Sequence, residues 1–268
     1  MVVIIILIAL LLALYLLSLY CRRGHKGLAQ LQGWKYAHRG LHDEALPENS
    51  MAAFRAALDA GCGIELDIHL LRDGNLAVIH DSSLKRTAGA DVNIEDLTTE
   101  DLKNYHLEGT QETIPTFREV LDLYAGKAPL IVELKSVGNN HAQLAEAACN
   151  MLDTYQGAYC IESFDPRCVL WLKKHRPDII RGQLAENFLP LNAPAAWILR
   201  FLLTYQLVNF LIQPDFVAYK FEDRKNLSNF LVRKLWGVQG VSWTIRSAED
   251  LKIAQSEGYL PIFEAFKP

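Results

Sequence analysis

Apolar positions follow two alternating patterns from residue 35 onward. Short apolar runs typical of buried strands alternate with stretches whose apolar residues recur every three or four positions, which is typical of helices. The predicted strands are residues 35–38, 63–69, 129–133, 158–163, 179–184, 215–219, 238–244 and 261–263. The predicted helices are residues 50–60, 115–124, 141–155, 166–175, 226–236 and 247–257. This alternation predicts an α/β fold with a parallel sheet, and eight strands are the number that closes a TIM-type (β/α)8 barrel.

An open doubly wound sheet is the alternative architecture, but no glycine-rich loop follows the first predicted strand. Asn49 or Ser50 is the predicted cap of the first helix.

The second predicted strand continues into a hairpin. The turn at Asp73-Gly74 is too short for a parallel crossover, so the strand at residues 76–80 is predicted to run antiparallel to it. A turn centred on these two residues places Asp67 opposite His80. Residues 70–113 then form a small insertion after the second strand, which carries this arm and a cap.

The chain opens with an apolar run at residues 2–20 that is long enough to cross a bilayer as a helix. A cleaved signal peptide is the rival interpretation, but no basic residue precedes the run and no small-residue cleavage site follows it. We therefore predict a transmembrane anchor at residues 1–21, a linker at 22–33 and a barrel at 34–268. Arg22, Arg23 and Lys26 follow the run, and the positive-inside rule places them and the catalytic domain in the cytoplasm.

A second apolar segment lies at residues 195–213, between the sixth and seventh predicted strands. It is interrupted only by Arg200 and a few polar residues. A buried barrel helix and a membrane-contacting helix near the rim of the barrel both fit this composition.

Composition narrows the possible partners. The net charge of −4 gives no basic surface for nucleic acid. Five cysteines without CxxC spacing indicate reduced thiols rather than a disulfide framework or a zinc site. Nothing in the sequence indicates a protein partner.

Charged and aromatic residues concentrate at the carboxyl ends of the predicted strands, where TIM barrels place their active sites. They are His38, Arg39, Glu65, Asp67, Glu133, Lys135, residues 163–165 and Trp243, and His80 joins them from the hairpin. Each of them also has a plain structural explanation as a surface or core residue, so it is their coincidence that indicates a site.

The residue types in this set point to phosphate chemistry. Three carboxylates suit Ca²⁺ or Mg²⁺, and the two cations suit an anion such as phosphate. Two histidines on opposite sides of a phosphorus provide a general base and a general acid. The set therefore predicts in-line cleavage of a phosphodiester.

The order of motifs resembles the glycerophosphodiester phosphodiesterase family over residues 35–265. The matching motifs are His38-Arg39-Gly40, Pro47-Glu48-Asn49-Ser50, Gly63-Ile64-Glu65-Leu66-Asp67, the D-G-x-L-x-V-x-H-D pattern at residues 73–81, residues 132–135, Ser163-Phe164-Asp165 and Trp243-Thr244. The resemblance implies a metal-dependent TIM barrel that hydrolyses glycerophosphodiesters to sn-glycerol 3-phosphate and an alcohol.

The resemblance also implies a role for each residue. Glu65, Asp67 and Glu133 would be the metal ligands, and His38 and His80 the acid and base. Arg39 and Lys135 would hold the phosphate, and Trp243 would pack on the glycerol. Either the substrate's own 2-hydroxyl or water would attack the phosphorus.

Two features depart from the family pattern. Glu264 stands near the end of the last strand, where the family usually has a Thr-Asp pair, and the apolar segment at residues 195–213 suggests a lipid substrate. A lysophospholipase D that cleaves lysophospholipids at the membrane is therefore an alternative function. A membrane scaffold without catalysis is a third, but it would be expected to lack a histidine or a metal carboxylate, and none is missing.

Overall fold

A computed structural model describes residues 1–191 and 196–268 of the chain. Its strands are β1 (Tyr36–His38), β2 (Gly63–Leu70), β3 (Leu76–Val78), β4 (Leu130–Leu134), β5 (Tyr159–Ser163), β6 (Arg181–Ala185), β7 (Phe216–Lys220), β8 (Gln239–Ile245) and β9 (Tyr259–Phe263). Its helices are α1 (Val2–Ser18), α2 (Leu28–Leu31), α3 (Met51–Asp59), α4 (Lys85–Ala88), α5 (Phe117–Tyr124), α6 (His141–Leu152), α7 (Pro166–His175), α8 (Trp197–Thr204), α9 (Asn209–Ile212), α10 (Leu227–Leu235) and α11 (Ala248–Ser256).

Eight of the strands form a closed parallel barrel. Each strand pairs with the next, with β2 followed by β4, and β1 closes the ring by pairing with both β2 and β9. The predicted TIM-type barrel is confirmed, and all eight predicted strands are present with ends shifted by only a few residues. Closure removes the sheet edges that an open doubly wound sheet would leave.

Helix boundaries follow local capping chemistry. Ser50, rather than Asn49, caps α3, since its hydroxyl accepts a hydrogen bond from the Ala53 amide at 3.1 Å. Thr116 and Glu119 form a capping box at the start of α5. The inner faces of α3, α5 and α6 pack on the strands in one hydrophobic core, which includes Phe54 and Phe117. The helices predicted between the strands are all present.

Residues 71–113 follow β2 as an arm and cap. Strand β3 runs antiparallel to β2, as predicted, and the short helix α4 and three 3-10 turns lie over a separate hydrophobic cluster that includes Leu84 and Leu102. The predicted pairing of Asp67 with His80 is wrong by one residue. The observed register pairs Ile68 with Val78, because the turn centres on Asp73, so Asp67 lies opposite Ile79 and His80 follows the end of β3.

The apolar N-terminal run forms a helix of 17 residues, two shorter than the predicted span. Helix α1 ends at Ser18, and Leu19 and Cys21 then turn into the barrel, where they pack with Val217 and Val232. Within the described ranges, no helix combines the length and the hydropathy that crossing a membrane requires.

The chain after α1 is fixed to the amino end of the barrel, where the strands begin. The Arg22 guanidinium pairs with both oxygens of Asp215 and donates to the carbonyls of Pro177 and Ile179. Arg22 is therefore a structural residue, and the charge argument for an inner-face orientation rests on the exposed Arg23 and Lys26. Leu31 of α2 packs under the barrel, and its carbonyl accepts a hydrogen bond from Tyr36 Oη at 2.7 Å.

The apolar segment at residues 195–213 contains α8 and α9, and its first residue lies outside the described ranges. Only Thr204 is buried in α8, while Trp197 and Ile198 are more than half exposed. A fully buried barrel helix is therefore the wrong interpretation for this part of the segment. All five cysteines are buried free thiols, as their spacing indicated.

Candidate active site

A cleft of about 300 Å³ opens at the carboxyl end of the barrel, where the strands end. Parallel strands deliver these residues to one place because all their carboxyl ends meet at the same rim. The cleft is lined by His38, Arg39, Glu65, His80, Glu133, Lys135, Glu162, Phe164, Leu184, Trp243 and Ile262. Seven of the eight residues to which the family resemblance gave a role are in this set. The eighth, Asp67, is buried, and one of its oxygens lies within 4.8 Å of oxygens of Glu65 and Glu133.

Glu65, Asp67 and Glu133 form a compact group of carboxylates. One oxygen from each lies within 4.8 Å of the others, and all three side chains are buried. They meet because Asp67 and Glu133 are register partners in β2 and β4, and Glu65 lies two residues before Asp67 on the same face. The spacing predicted from the sequence is therefore realised in the fold.

Burial and mutual repulsion perturb these acids. Burial, followed by the charges of Asp67 and Glu133, raises the pKa of Glu65 well above its ordinary value. Burial likewise raises the pKa of Glu133 to about 7. For Asp67 burial acts in the same direction, but the nearby charges of Lys135, His80 and Arg39 outweigh it and hold its pKa well below the usual range.

The group fits a hard divalent cation. Asp67 Oδ1 and Glu133 Oε1 are buried and accept no hydrogen bond from the described residues, although Lys135 Nζ lies 3.1 Å and 2.7 Å from them. Converging carboxylate oxygens with free lone pairs are the ligands that Ca²⁺ and Mg²⁺ prefer.

Neighbouring groups orient the carboxylates. Asn49 Nδ2 donates to Asp67 Oδ2 at 2.9 Å, and the Arg39 amide donates to Glu65 Oε2 at 3.2 Å. Arg39 and Asn49 both have positive φ angles, which turn the chain sharply around β1 and the start of α3. The Arg39 guanidinium lies 3.4 Å from Asp67 Oδ2 and donates to Glu48 at 3.0 Å.

Each of the two predicted catalytic histidines is held by a carboxylate at the same ring nitrogen. His38 Nδ1 lies 2.5 Å from Glu264 Oε2, and His80 Nδ1 lies 2.6 Å from Asp81 Oδ1. A carboxylate at Nδ1 favours the tautomer that carries its proton there, which leaves Nε2 free to act on another group. His38 Nε2 faces the metal-type cluster, 3.9 Å from Glu65 Oε2.

Burial favours the neutral form of both histidines. Removal from water lowers the pKa of His38 below its usual 6.5, and the hydrogen bond that His38 donates to Glu264 opposes this shift. The pKa of His80 is lowered for the same reason, against the charge of Asp67 and the hydrogen bond to Asp81. A neutral imidazole with a free Nε2 is the form that accepts a proton.

Aromatic rings form one wall of the cleft. Trp243 is fixed by a hydrogen bond from its indole nitrogen to the Ala218 carbonyl, at 3.0 Å. Phe164 meets it edge-on with ring centroids 5.5 Å apart, and Phe188 continues the contact at 6.0 Å from Phe164. The wall presents an apolar face beside the charged floor.

Two predicted candidates have structural roles instead. Ser163 donates to the Leu134 carbonyl at 2.7 Å and so ties β5 to β4. Asp165 caps α7 by accepting from the Arg167 amide, and it also accepts from Ser136. Of the segment 163–165, only Phe164 lines the cleft.

Four further residues belong to the site. The sequence predicts Asn49 as a possible helix cap, and it does not indicate that Asp81 or Glu264 contacts a histidine. Glu162, in β5, is buried next to its register partner Glu133 in β4. Burial and the charge of Glu133 raise the pKa of Glu162 well above its ordinary value. A lone acid in the apolar run of β5 was the available signal for Glu162.

Comparisons with known proteins agree with this geometry. The model of the glycerophosphoryl diester phosphodiesterase family matches residues 38–263. A glycerophosphodiester phosphodiesterase of Bacillus altitudinis is 37% identical over 130 residues, which cover 45% of this chain and 53% of the relative. One from Caldanaerobacter subterraneus subsp. tengcongensis is 34% identical over 160 residues, 56% of this chain and 65% of the relative. The matched region thus spans about half to two thirds of these relatives.

A lysophospholipase D of Rattus norvegicus is 37% identical over 117 residues, which cover 39% of this chain and 36% of that protein. Among solved structures, a phosphodiesterase of Oleispira antarctica in complex with sn-glycerol-3-phosphate superposes with a TM-score of 0.74 at 22% identity, covering 91% of this chain and 95% of the other. At that identity the likeness shows the fold. The family match covers most of the chain and includes the carboxylates, the histidines and the cations of the cleft, so the chain belongs to the glycerophosphoryl diester phosphodiesterase family.

Proposed function

We propose that the protein hydrolyses glycerophosphodiesters to sn-glycerol 3-phosphate and an alcohol in a metal-dependent reaction. One observation carries the proposal: two histidines, each held at Nδ1 by a carboxylate, flank a cleft floored by three buried acids and two cations. Relatives named as glycerophosphodiester phosphodiesterases support the choice of diester.

Glu65, Asp67 and Glu133 would hold the divalent cation, Ca²⁺ or Mg²⁺. When bound, the cation supplies positive charge to the equatorial oxygens of the phosphate. Arg39 and Lys135 line the same cleft and bind those oxygens from the protein side. Trp243 and Phe164 offer the glycerol an apolar surface.

The histidines move the protons. A neutral imidazole at one side of the phosphorus takes the proton of the attacking hydroxyl, and the other histidine, in its protonated imidazolium form, gives its Nε2 proton to the leaving oxygen. Glu264 and Asp81 keep the Nε2 atoms available by holding the Nδ1 protons. The attacking hydroxyl belongs to the substrate's glycerol or to water.

A lysophospholipase D activity is the second candidate. The exposed apolar helix α1 and the relatives of that name favour it. The two activities separate on one comparison: release of glycerol 3-phosphate from glycerophosphocholine against release of choline from lysophosphatidylcholine. We propose that α1 inserts into a membrane in either case, because its exposed side chains are apolar on every side.

The metal assignment predicts a shared loss in three variants. Glu65→Gln, Asp67→Asn and Glu133→Gln should each lower kcat/KM at least about 100-fold, since removing an outer partner of a metal ligand already costs up to that much. Chelator should abolish wild-type activity, and added Ca²⁺ or Mg²⁺ should restore it. Glu146→Gln, on the exposed face of α6, is the control. Activity that survives chelation would contradict the assignment.

Removing either histidine tests the proton transfers. His38→Ala and His80→Ala should each cost about 10²–10⁴-fold in rate, and the double variant should cost less than the product of the two. His25→Ala, at the amino end of the barrel, should retain full activity. Near-wild-type turnover by a folded variant of either catalytic histidine would remove that residue from the mechanism.

Glu264 and Asp81 each hold a different histidine, so we expect removal of their charges to move different limbs of the pH–rate profile. Glu264 raises the pKa of His38, so Glu264→Gln should move the limb governed by His38 to lower pH. Asp81→Asn should move the other limb to lower pH for the same reason. Glu222→Gln is the control, because Glu222 pairs with Arg246, as Glu264 does, but does not contact His38. The pH profile of kcat/KM of this variant should match that of the wild type. Two variants that move the same limb would show that the histidines do not divide the roles.

We propose that the barrel lies on the cytoplasmic side of the membrane, because the positive-inside rule places Arg23 and Lys26 there. A reporter fused after Pro268 should be accessible only from the cytoplasm in cells. A reporter accessible from outside the cell would show that the apolar run acts in export.

A further inference from the structure

Three contacts fix the direction in which the chain runs along the barrel wall. Arg22 pairs with Asp215, which precedes β7 and lies at the amino end of the barrel. Tyr20 packs edge-on against Trp236, just after α10, with ring centroids 5.1 Å apart. Tyr15 Oη and Ser228 Oγ are 2.9 Å apart, and Ser228 lies in the first turn of α10, near the carboxyl end. From Tyr15 to Arg22 the chain therefore runs from the carboxyl end to the amino end.

The rest of α1 consequently projects past the rim that carries the active site. Residues 1–14 are all exposed, and exposure falls only from Tyr15 onward, where the helix meets α10. Thirteen helical residues extend about 20 Å. An apolar rod thus stands beside the mouth of the cleft rather than at the opposite end of the barrel.

Helix α8 places further apolar side chains at the same rim. Its last residue, Thr204, is tied there: the Thr204 hydroxyl accepts from the Phe188 amide at 3.0 Å, and its carbonyl accepts from Tyr219 Oη at 2.8 Å. Trp197, Ile198 and Leu199 lie at the other end of α8 and are exposed. The helix is attached by its polar end and leaves its apolar end in solvent.

The start of α10 completes this surface. Leu227 is 62% exposed in the first turn of α10, next to the contact between Tyr15 and Ser228. Lys225 and Arg200 flank the apolar residues, and neither forms an ion pair with a carboxylate of the described residues. The apolar surface is thus bordered by unpaired positive charge.

A bilayer fits this surface better than a protein partner does. Helix α1 has no polar face, so a protein groove would cover one side of it and leave the others in water. Lipid surrounds such a helix completely. The bordering cations complement anionic headgroups.

The aromatic wall connects this surface to the reaction site. Trp243, Phe164 and Phe188 follow one another from the cleft outward, and the Phe188 amide contacts the end of α8. An acyl chain attached to the glycerol therefore has an apolar path between the phosphate site and the rim.

We propose that α1, α8 and the start of α10 form one lipid-facing surface that holds the mouth of the cleft against a bilayer. A substrate with an acyl chain then reaches the histidines without leaving the membrane. This inference rests on the proposed phosphodiesterase activity for its substrate, but its geometry can be tested separately.

The orientation is tested with a fluorescent label in the full chain bound to vesicles of phosphatidylcholine and phosphatidylglycerol. Leu227→Cys places the label at the rim, and Gln156→Cys places a matched label in the loop before β5, at the amino end; the five native thiols are buried. A lipid-attached nitroxide should quench the label at residue 227 and leave that at residue 156 bright. Protein that pellets with the vesicles while neither label is quenched, or only that at residue 156, overturns the orientation. Protein that stays in solution overturns the membrane contact itself.

The route for the substrate is tested by activity. The combined change of Trp197, Ile198 and Leu199 to Ser should lower hydrolysis of lysophosphatidylcholine in those vesicles about tenfold or more, because it removes three apolar side chains from lipid contact. Hydrolysis of soluble glycerophosphocholine should be unchanged. The control Leu235→Ser alters an exposed apolar residue in the last turn of α10, at the amino end of the barrel, and should affect neither substrate.

The outcomes separate this inference from the proposed function. Equal rates of vesicle hydrolysis by the wild type and the triple variant overturn the lipid-facing surface while the activity on glycerophosphocholine stands. An equal loss on both substrates shows a general effect on the cleft and also overturns it. Wild-type protein that cleaves neither substrate refutes the proposed function, and the labelling result then decides the orientation alone.

Discussion

Glu65, Asp67 and Glu133 face one another inside the barrel, and burying three acids together costs free energy. Several other residues of the site offset that cost. Like charges removed from water repel strongly, so the group is stable only with compensating positive charge. Lys135 and Arg39 supply part of it from the ends of β4 and β1, and Asn49 supplies a donor. The carboxylates attract a metal ion and the neighbouring cations attract a phosphate, and the low dielectric strengthens both interactions. The feature that destabilises the fold is therefore the one that suits it to bind both groups.

The histidines show how the periphery serves this centre. Each is contributed by the first half of the barrel, yet His38 depends on Glu264, which follows the last strand. Pairing of β1 with β9 closes the ring and brings the two together. Closure of the barrel is therefore needed to orient His38, the histidine for which we propose a role in proton transfer, as well as to complete the sheet.

Much of this structure could be read from the sequence because it depends on short-range patterns. Apolar periodicity located the strands and helices, and residues at strand ends located the cleft, since parallel strands end at one rim. Contacts between distant segments could not be read in the same way. The pairing of Glu264 with His38, the donor role of Asn49 and the structural role of Arg22 each depend on a partner far away in the chain. The predicted hairpin register is wrong for a local reason, because a shift of one residue in the centre of the turn changes every residue pair along the two strands.

The docking of α1 on α10 sets an order of events during synthesis. The apolar helix is made first, whereas the surface that receives Tyr15, Leu19 and Cys21 is built from residues 185–238 and exists only after most of the chain has left the ribosome. Strand β1 waits still longer for β9. During that interval α1 has no surface of the barrel to pack against. Its apolar side chains are therefore exposed on the nascent chain before the barrel can close.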